Sequence, residues 1–104
     1  MGNTVHHGDH FEWDERKASG NFKKHGITFE EAAGIPDADS HTLFADDFAH
    51  SRTEDRFAYL GHSITGALIV VNYTVRGSRL RLISARLAEQ SERKQYANAK
   101  KKGS

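Results

Sequence analysis

The sequence predicts a single α+β domain, with two N-terminal helices packed on an antiparallel sheet of three to four main strands, plus a C-terminal helix. Three observations support this fold class. Two short helical segments with clear start and stop signals come first, strand signals separated by glycine turns follow, and a polar segment with a serine cap comes last. With 104 residues, 37% of them hydrophobic, the chain suits one small core. We expect residues 1–10 to be a flexible segment, residues 11–98 the domain and residues 99–104 a basic tail.

The first helix has a signal at each end. Asp14 is a good N-cap for a helix that runs through about Lys24. Gly26 then occupies the position where a left-handed residue stops a helix, and Ile27 can contact Phe22 across that end. These signals predict a Schellman arrangement with its hydrophobic contact.

A second helix begins directly after this corner. Thr28 and Glu31 have the spacing of a capping box, and Ile27 and Ala32 have the spacing of a hydrophobic staple. Pro36 ends the helix, because its ring is incompatible with a helix interior. The prediction for this region is two short helices joined at a tight corner.

The strand signals predict antiparallel hairpins. The predicted strands cover residues 11–13, 41–44, 57–62, 67–75 and 79–86. Thr-Gly at 65–66 and Gly-Ser at 77–78 supply the turns between the last three. Residues 67–71 are all apolar, which indicates a central strand covered on both faces. Ser91 then caps a C-terminal helix through about Lys100.

The last strand raises a question of side-chain direction. Arg81 and Arg86 are five positions apart, and side chains along a regular strand alternate between the two faces. A regular strand would therefore place these two arginines on opposite faces. Either a bulge intervenes, or one of the two arginines is structural.

Charge is divided unevenly along the chain. Residues 1–75 carry six Lys or Arg against twelve Asp or Glu, whereas residues 76–104 carry nine against two. This asymmetry favours contact with a polyanion near the C-terminal end, and a solvated basic helix and tail is the alternative.

Several classes of site are disfavoured by composition. The chain has no cysteine, which excludes a disulfide framework and a thiolate site and suits a cytoplasmic location. No apolar run can span a bilayer, and no export signal opens the chain. His6, His7 and His10 could gather a metal, but flexible terminal histidines usually hold none, so we expect no metal site and no cofactor.

Short motifs spread along the chain resemble those of a known family. In the first half they are Phe11-Glu12-Trp13-Asp14, Lys17, Asn21, Lys24-His25-Gly26 and Phe29-Glu30-Glu31-Ala32. In the second half they are Glu54-x-Arg56-Phe57, Gly61, Val70-Val71, Tyr73-Thr74-x-Arg76-Gly77, Arg81-x-Ile83-Ser84-Ala85-Arg86, Glu92-Arg93 and Tyr96. Together they cover residues 11–96 in the expected order and resemble the signature of BrnT toxins.

The resemblance implies a RelE-like fold and a toxin of a type II toxin–antitoxin system, a metal-independent endoribonuclease that cleaves cellular RNA and arrests growth. It also implies neutralisation by a BrnA-like antitoxin with a ribbon–helix–helix domain. Operator DNA would be bound only through that antitoxin, and no membrane partner is implied. The alternatives are a non-catalytic nucleic-acid-binding module and a corepressor that mainly binds its antitoxin.

Metal-independent RNA cleavage needs a base for the 2′-OH, an acid for the leaving 5′-oxygen and cations for the charge on phosphorus. Arginine suits the last role because its planar fork binds two phosphate oxygens at once. We assign Arg76 and Arg86 to catalysis and Arg56 and Arg81 to RNA binding. The alternative for each arginine is an ion pair at a sheet edge.

The acid–base candidates are His25 and Glu54. Histidine side chains titrate near working pH, and the alternative for His25 is a helix cap. Glu54 could act as the base or orient a neighbouring arginine. Lys24 and Tyr73 complete the predicted RNA-binding set. For Tyr73 the alternative is a place in the core. Trp13 is assigned to the core, and RNA stacking is its alternative.

Overall fold

The computed structural model describes residues 3–42 and 56–103. In chain order the elements are β1 (Thr4–His7), β2 (Phe11–Asp14), α1 (Glu15–His25), α2 (Phe29–Ala33), a 3-10 turn (Asp37–Asp39), β3 (His41–Thr42), β4 (Arg56–His62), β5 (Leu68–Arg76), β6 (Arg79–Leu87) and α3 (Gln90–Gly103). The six strands form one sheet in the order β1-β2-β6-β5-β4-β3. Neighbouring strands are antiparallel except β2 and β6, which are parallel.

The predicted antiparallel sheet of three to four strands under two N-terminal helices is wrong. The sheet has six strands and is mixed, and two strands precede the first helix. Strand β1 lies in the polar lead-in, where it pairs with β2, and β2 pairs with a strand almost seventy residues later. The α+β class, the two hairpins β4–β5 and β5–β6, and the C-terminal helix are confirmed.

Helix α1 begins and ends where local chemistry predicts. The side chain of Asp14 accepts a hydrogen bond from the Arg16 N–H at 2.7 Å. Gly26 adopts φ 73°, and its N–H donates to the Phe22 carbonyl at 2.8 Å. That bond is the one that defines the αL motif, so the helix stops at the predicted residue but by a simpler arrangement than the Schellman motif.

Helix α2 has half of the predicted capping box. The hydroxyl of Thr28 accepts from the Glu31 N–H at 3.0 Å. The carboxylate of Glu31 does not turn back to Thr28; it accepts from Ser63 at 2.5 Å and from Thr65 at 2.7 Å in the β4–β5 turn. Glu31 therefore links α2 to the sheet.

The sheet has a buried cluster on each face. Helices α1 and α2 cover one face, which we call the α1/α2 face, with a core of Trp13, Ile27, Phe29, Ala32, Ile35, Tyr59, Ile69, Val71, Leu82 and Ala85. Helix α3 covers part of the opposite face, the α3 face, with a smaller core of Ala58, Leu60, Leu68, Val70, Ala88 and Tyr96. Alternate residues of β4 and β5 supply the two clusters, as expected for a sheet covered on both faces.

A β-bulge in β6 sets the directions of its arginines. Tyr73 and Asn72 are adjacent on β5, but they pair with Leu82 and Ser84, so Ile83 is the extra residue. On β5, Thr74 (the partner of Arg81) and Val70 (the partner of Arg86) are four positions apart and share a face. Both arginines therefore lie on the α3 face. Of the two explanations considered from the sequence, the bulge is confirmed.

Asn21 joins α1 to the part of β6 that lies beyond the β2 pairing. Its amide nitrogen donates to the carbonyls of Ala85 at 2.9 Å and Ile27 at 3.0 Å, and its oxygen accepts from the Ala85 N–H at 3.0 Å. Because Asn21 is buried, this one side chain satisfies backbone groups that would otherwise lie unpaired at a buried strand edge.

Helix α3 begins one residue earlier than the predicted cap at Ser91. The Glu89 N–H donates to the carboxylate of Glu92 at 2.8 Å, so a glutamate side chain satisfies this helix start. Within residues 3–42 and 56–103, no helix is long and apolar enough to cross a membrane.

Gly20→Ala, inside α1, and Gly26→Ala, directly after its last residue, make the same change and should have opposite effects. An added Cβ has no atom within 4 Å at either position. At Gly20 alanine should raise the free energy of unfolding by up to about 1 kcal/mol, because it is the better helix former. At Gly26 it should lower it by about 1–2 kcal/mol, because the left-handed conformation is costly for alanine. Thermal and urea unfolding measure the stability of both variants. Stability changes of the same sign would contradict a left-handed residue at the end of α1.

Candidate nucleic-acid interface

One row of side chains crosses five strands on the part of the α3 face that carries the arginines. In register order the paired residues are His6 on β1, Glu12 on β2, Arg81 on β6, Thr74 on β5 and Arg56 on β4. Directly paired residues share a face, and neighbouring strands are about 4.8 Å apart, so these side chains form a continuous line. The row places two arginines, a carboxylate and a histidine on one surface.

Glu12 is the buried member of this row. Its carboxylate accepts a hydrogen bond from the Arg81 guanidinium at 2.6 Å. On its other side, the Nε2 atom of His6 lies 3.6 Å from Oε1 of Glu12. The Glu12 side chain is 10% exposed and that of His6 is 60% exposed. The carboxylate is therefore enclosed between an arginine and a histidine that solvent can reach.

Two exposed arginines lie at the β4 end of this surface: Arg56, the last member of the row, and Arg76, which lies beside it. Arg76 follows Thr74 by two positions on β5, so its side chain leaves the same face. Among the described residues, no hydrogen bond or ion pair occupies the guanidinium of either Arg56 or Arg76. Arg79, which pairs with Arg76, instead donates to the backbone carbonyls of Gly8 and Phe11 at 3.0 and 2.9 Å. With respect to residues 3–42 and 56–103, the donors of Arg56 and Arg76 are therefore unused.

Arg86 lies on the same face, near the end of β6, and binds the first turn of α3. Its two terminal nitrogens donate to the two oxygens of Glu92 at 2.8 and 2.7 Å. Hydrogen bonding to Arg86 lowers the pKa of Glu92 below its usual value, although burial opposes this, and Glu92 in turn raises the pKa of Arg86. This bidentate pair fixes the helix against the sheet.

The middle of α3 is anchored on the carboxylate of Asp39. The Tyr96 hydroxyl donates to it, the His62 N–H donates at 2.6 Å, and the Lys100 ammonium lies 3.2 Å away. Burial favours the protonated form of Asp39, but these donors outweigh burial and lower its pKa to about 2. Burial and the neighbouring carboxylate raise the pKa of Tyr96 to about 12. An ionised carboxylate therefore holds α3 over the apolar part of the face.

The structure brings together some of the residues predicted from the sequence and separates others. The four predicted arginines share the α3 face. Tyr73 lies on the α1/α2 face, with its ring 5.7 Å from that of Phe57, and burial raises its pKa. Lys24 and His25 end α1, on the layer that covers that same face, and no side-chain hydrogen bond joins His25 to another described residue. Glu54 lies outside the described residues. The roles assigned to these residues stay predictions.

Two members of the row were missed from the sequence. Glu12 alternates with Phe11 and Trp13, which is the strand pattern of one polar residue between two apolar ones. That alternation could have indicated that Glu12 faces away from the core formed by Trp13, which is 1% exposed. No comparable signal marked His6, because nothing in the polar lead-in predicted a strand.

A family model and a solved structure both relate this chain to one family. The family model described as "Ribonuclease toxin, BrnT, of type II toxin-antitoxin system" matches residues 13–92. Among solved structures, the chain is similar to the ribonuclease toxin BrnT of Brucella abortus, with 27% sequence identity and a TM-score of 0.58, over 75% of this chain and 94% of that one. The search of curated proteins found no match.

Asp39→Asn tests the anchor of α3 through the pH dependence of stability. Because the pKa of Asp39 is lowered from 3.8 to about 2, its ionised form stabilises the fold above pH 4, and this contribution is lost as the pH falls toward 2. The variant should be less stable than the wild type at neutral pH, and the difference should shrink across that acidic range. Asp37→Asn, an exposed carboxyl of the same turn, is the control and should show no such convergence. Urea unfolding at several pH values measures the free energy of unfolding of each protein. A difference between wild type and Asp39→Asn that stays constant with pH would contradict the anchor.

Proposed function

Since this chain belongs to the BrnT family of ribonuclease toxins from type II toxin–antitoxin systems, we propose that it is a metal-independent endoribonuclease that cleaves cellular RNA and arrests growth. The observation that supports this most directly is the group of arginines on the α3 face, around one row of paired residues. A sheet surface with several cations held on strands suits an extended polyanion.

Arg56, Arg76 and Arg81 are the proposed phosphate contacts. Arg56 and Arg81 lie two strand spacings apart, roughly 10 Å, on either side of Thr74. Arg81 uses NH1 for Glu12, and no hydrogen bond to another described residue uses its remaining nitrogens, which can donate to a phosphate. All three side chains start from strands, so the sheet limits their movement more than a loop or tail would.

The proposed chemistry is transfer of the phosphodiester to the neighbouring 2′-oxygen. A base takes the 2′-OH proton, the 2′-oxygen attacks phosphorus, and the 5′-oxygen leaves with a proton. The arginines stabilise the charge that builds on the phosphoryl oxygens. These steps are assigned to side chains alone, as the family resemblance implies, and the cleavage assay in EDTA below tests this assignment.

The role of Arg86 follows from its partner. Both terminal nitrogens are bound to Glu92, which is 8% exposed in its side chain. Arg86 therefore supports the site by holding α3, and its loss should lower thermal stability along with activity. The predicted acid–base role of His25 is tested by His25→Ala, in which loss of cleavage at unchanged melting temperature would support it.

The proposed partner is a BrnA-like antitoxin with a ribbon–helix–helix domain. The toxin would contact operator DNA only through this antitoxin, and the complex would lie in the cytoplasm. An antitoxin that neutralises the toxin by covering its RNA contacts must lie over the exposed arginines of the α3 face. Acidic groups on the antitoxin would complement Arg56 and Arg76, which have no described ion pair.

A non-catalytic nucleic-acid-binding module is the second candidate. Arg81 and Arg86 are already paired with carboxylates, so the free charge of the face is smaller than its arginine content suggests. Such a module would bind RNA with strong salt dependence and leave it intact.

Purified protein should cleave RNA in the presence of EDTA. Arg56→Ala and Arg76→Ala should each lower kcat/KM by about 10- to 100-fold, because each removes a proposed phosphate contact. Arg16→Ala is the matched control, because it removes an exposed arginine from α1 on the opposite side of the sheet, and it should cleave like the wild type. RNA binding without cleavage by the wild type would favour the second candidate. Full loss of cleavage in EDTA, restored by a divalent ion, would contradict the metal-independent mechanism.

RNA and the antitoxin should compete for the α3 face. In fluorescence anisotropy with labelled RNA, added antitoxin should displace the RNA, and Arg56→Ala should weaken binding of both ligands. A ternary complex with undiminished RNA affinity would show that the antitoxin neutralises from another surface.

A further inference from the structure

We propose that His6 is the general base of RNA cleavage and that Glu12 positions it, an inference that rests on the proposed ribonuclease function. The base must lie beside the phosphate contacts on the surface that RNA can reach. His6 begins the row that continues through Glu12 and Arg81, and its side chain is 60% exposed.

The β1–β2 hairpin that carries His6 is fixed to the rest of the sheet. At its start, the Glu15 N–H donates to the Asn3 carbonyl at 2.7 Å. At its turn, Arg79 donates to the Gly8 carbonyl at 3.0 Å, and the Leu80 N–H donates to the His10 carbonyl at 2.7 Å. Strand β1 therefore holds its side chains in register with Glu12, as a general base requires.

The carboxylate beside His6 has the arrangement expected of a positioning group. Glu12 is held by Arg81 at 2.6 Å through one oxygen, and its other oxygen lies 3.6 Å from Nε2 of His6. That distance is close to a hydrogen bond, and catalytic hydrogen bonds often tighten only when substrate is bound. A carboxylate in this position orients the imidazole ring and stabilises the imidazolium that forms when the ring takes a proton.

The proposed step balances as a transesterification. Nδ1 of His6 takes the proton of the 2′-OH, while Nε2 faces Glu12. The 2′-oxygen forms a bond to phosphorus, the bond from phosphorus to the 5′-oxygen breaks, and that oxygen takes a proton from solvent. The products are a 2′,3′-cyclic phosphate and a 5′-hydroxyl, and the imidazolium then returns its proton to water. Arg81 lies next in the row, where it can bind the phosphate being attacked.

The alternative role for His6 is a surface ion pair with Glu12. Such pairs contribute at most about 1 kcal/mol to stability and leave catalysis unaffected. The neighbouring residue supplies a matched control. His7 pairs with Phe11, so its side chain leaves the α1/α2 face, where its ring lies 5.4 Å from that of Trp13.

The test compares His6→Ala, His7→Ala and Glu12→Gln with the wild type in a steady-state RNA cleavage assay. For His6→Ala we expect kcat to fall by about 100-fold or more, with KM little changed, because the loss of a general base affects the transition state. Imidazole added to the solution should restore part of the lost rate, since the site is open to solvent. His7→Ala should keep the wild-type kcat and gain nothing from imidazole. Glu12→Gln should lower kcat by less than His6→Ala, leave KM unchanged and not respond to imidazole.

The outcomes separate this proposal from the one on which it depends. If the wild type cleaves no RNA, the ribonuclease function fails and the assignment of His6 falls with it. If the wild type cleaves and His6→Ala cleaves at the same rate, only the assignment of His6 is overturned. A raised KM in His6→Ala without rescue by imidazole also overturns it, because His6 would then bind RNA without transferring a proton.

Discussion

The bulge at Ile83 is the constraint on which the arrangement of both sheet faces depends. The alternation of side chains has a period of two, so a single extra residue exchanges every following side chain between faces. Because of this residue, Leu82 and Ala85 both reach the core of the α1/α2 face, while Arg81 and Arg86 both reach the α3 face. In a regular β6 the two members of each pair would lie on opposite faces, so an arginine would point into the core of the α1/α2 face and a core side chain would leave it.

Of the four predicted arginines on the α3 face, two also stabilise the fold. Arg81 and Arg86 each neutralise a buried carboxylate, Glu12 and Glu92, and an unpaired charge at such a site costs about 3–5 kcal/mol. These two positions therefore combine structure and function, and substitutions there affect stability and activity together. The other two, Arg76 at the end of β5 and Arg56 at the start of β4, are paired with no carboxylate of the described residues.

Helix α3 divides its face into an apolar part and a cationic part. The Arg86–Glu92 pair holds its beginning, and the Asp39 carboxylate holds its middle through Tyr96 and Lys100. Between these anchors the helix covers the apolar residues of β4 and β5, and the arginine row lies beyond it. The position of the helix thus sets which part of the sheet a nucleic acid or an antitoxin can reach.

The sequence by itself determined the features that depend on neighbours in the chain. These are the cap at Asp14, the left-handed stop at Gly26, the glycine turns of the two hairpins, and the motifs by which the family was identified. The alternation of side chains along β6 is also local, and it left two alternatives, a bulge or a structural arginine. Tertiary structure decided the rest: the strand at His6, the parallel pairing of β2 with β6, and the distribution of charge over the α3 face. Each depends on register between residues far apart in the chain, and register follows from the packing of the two faces, which no local pattern encodes.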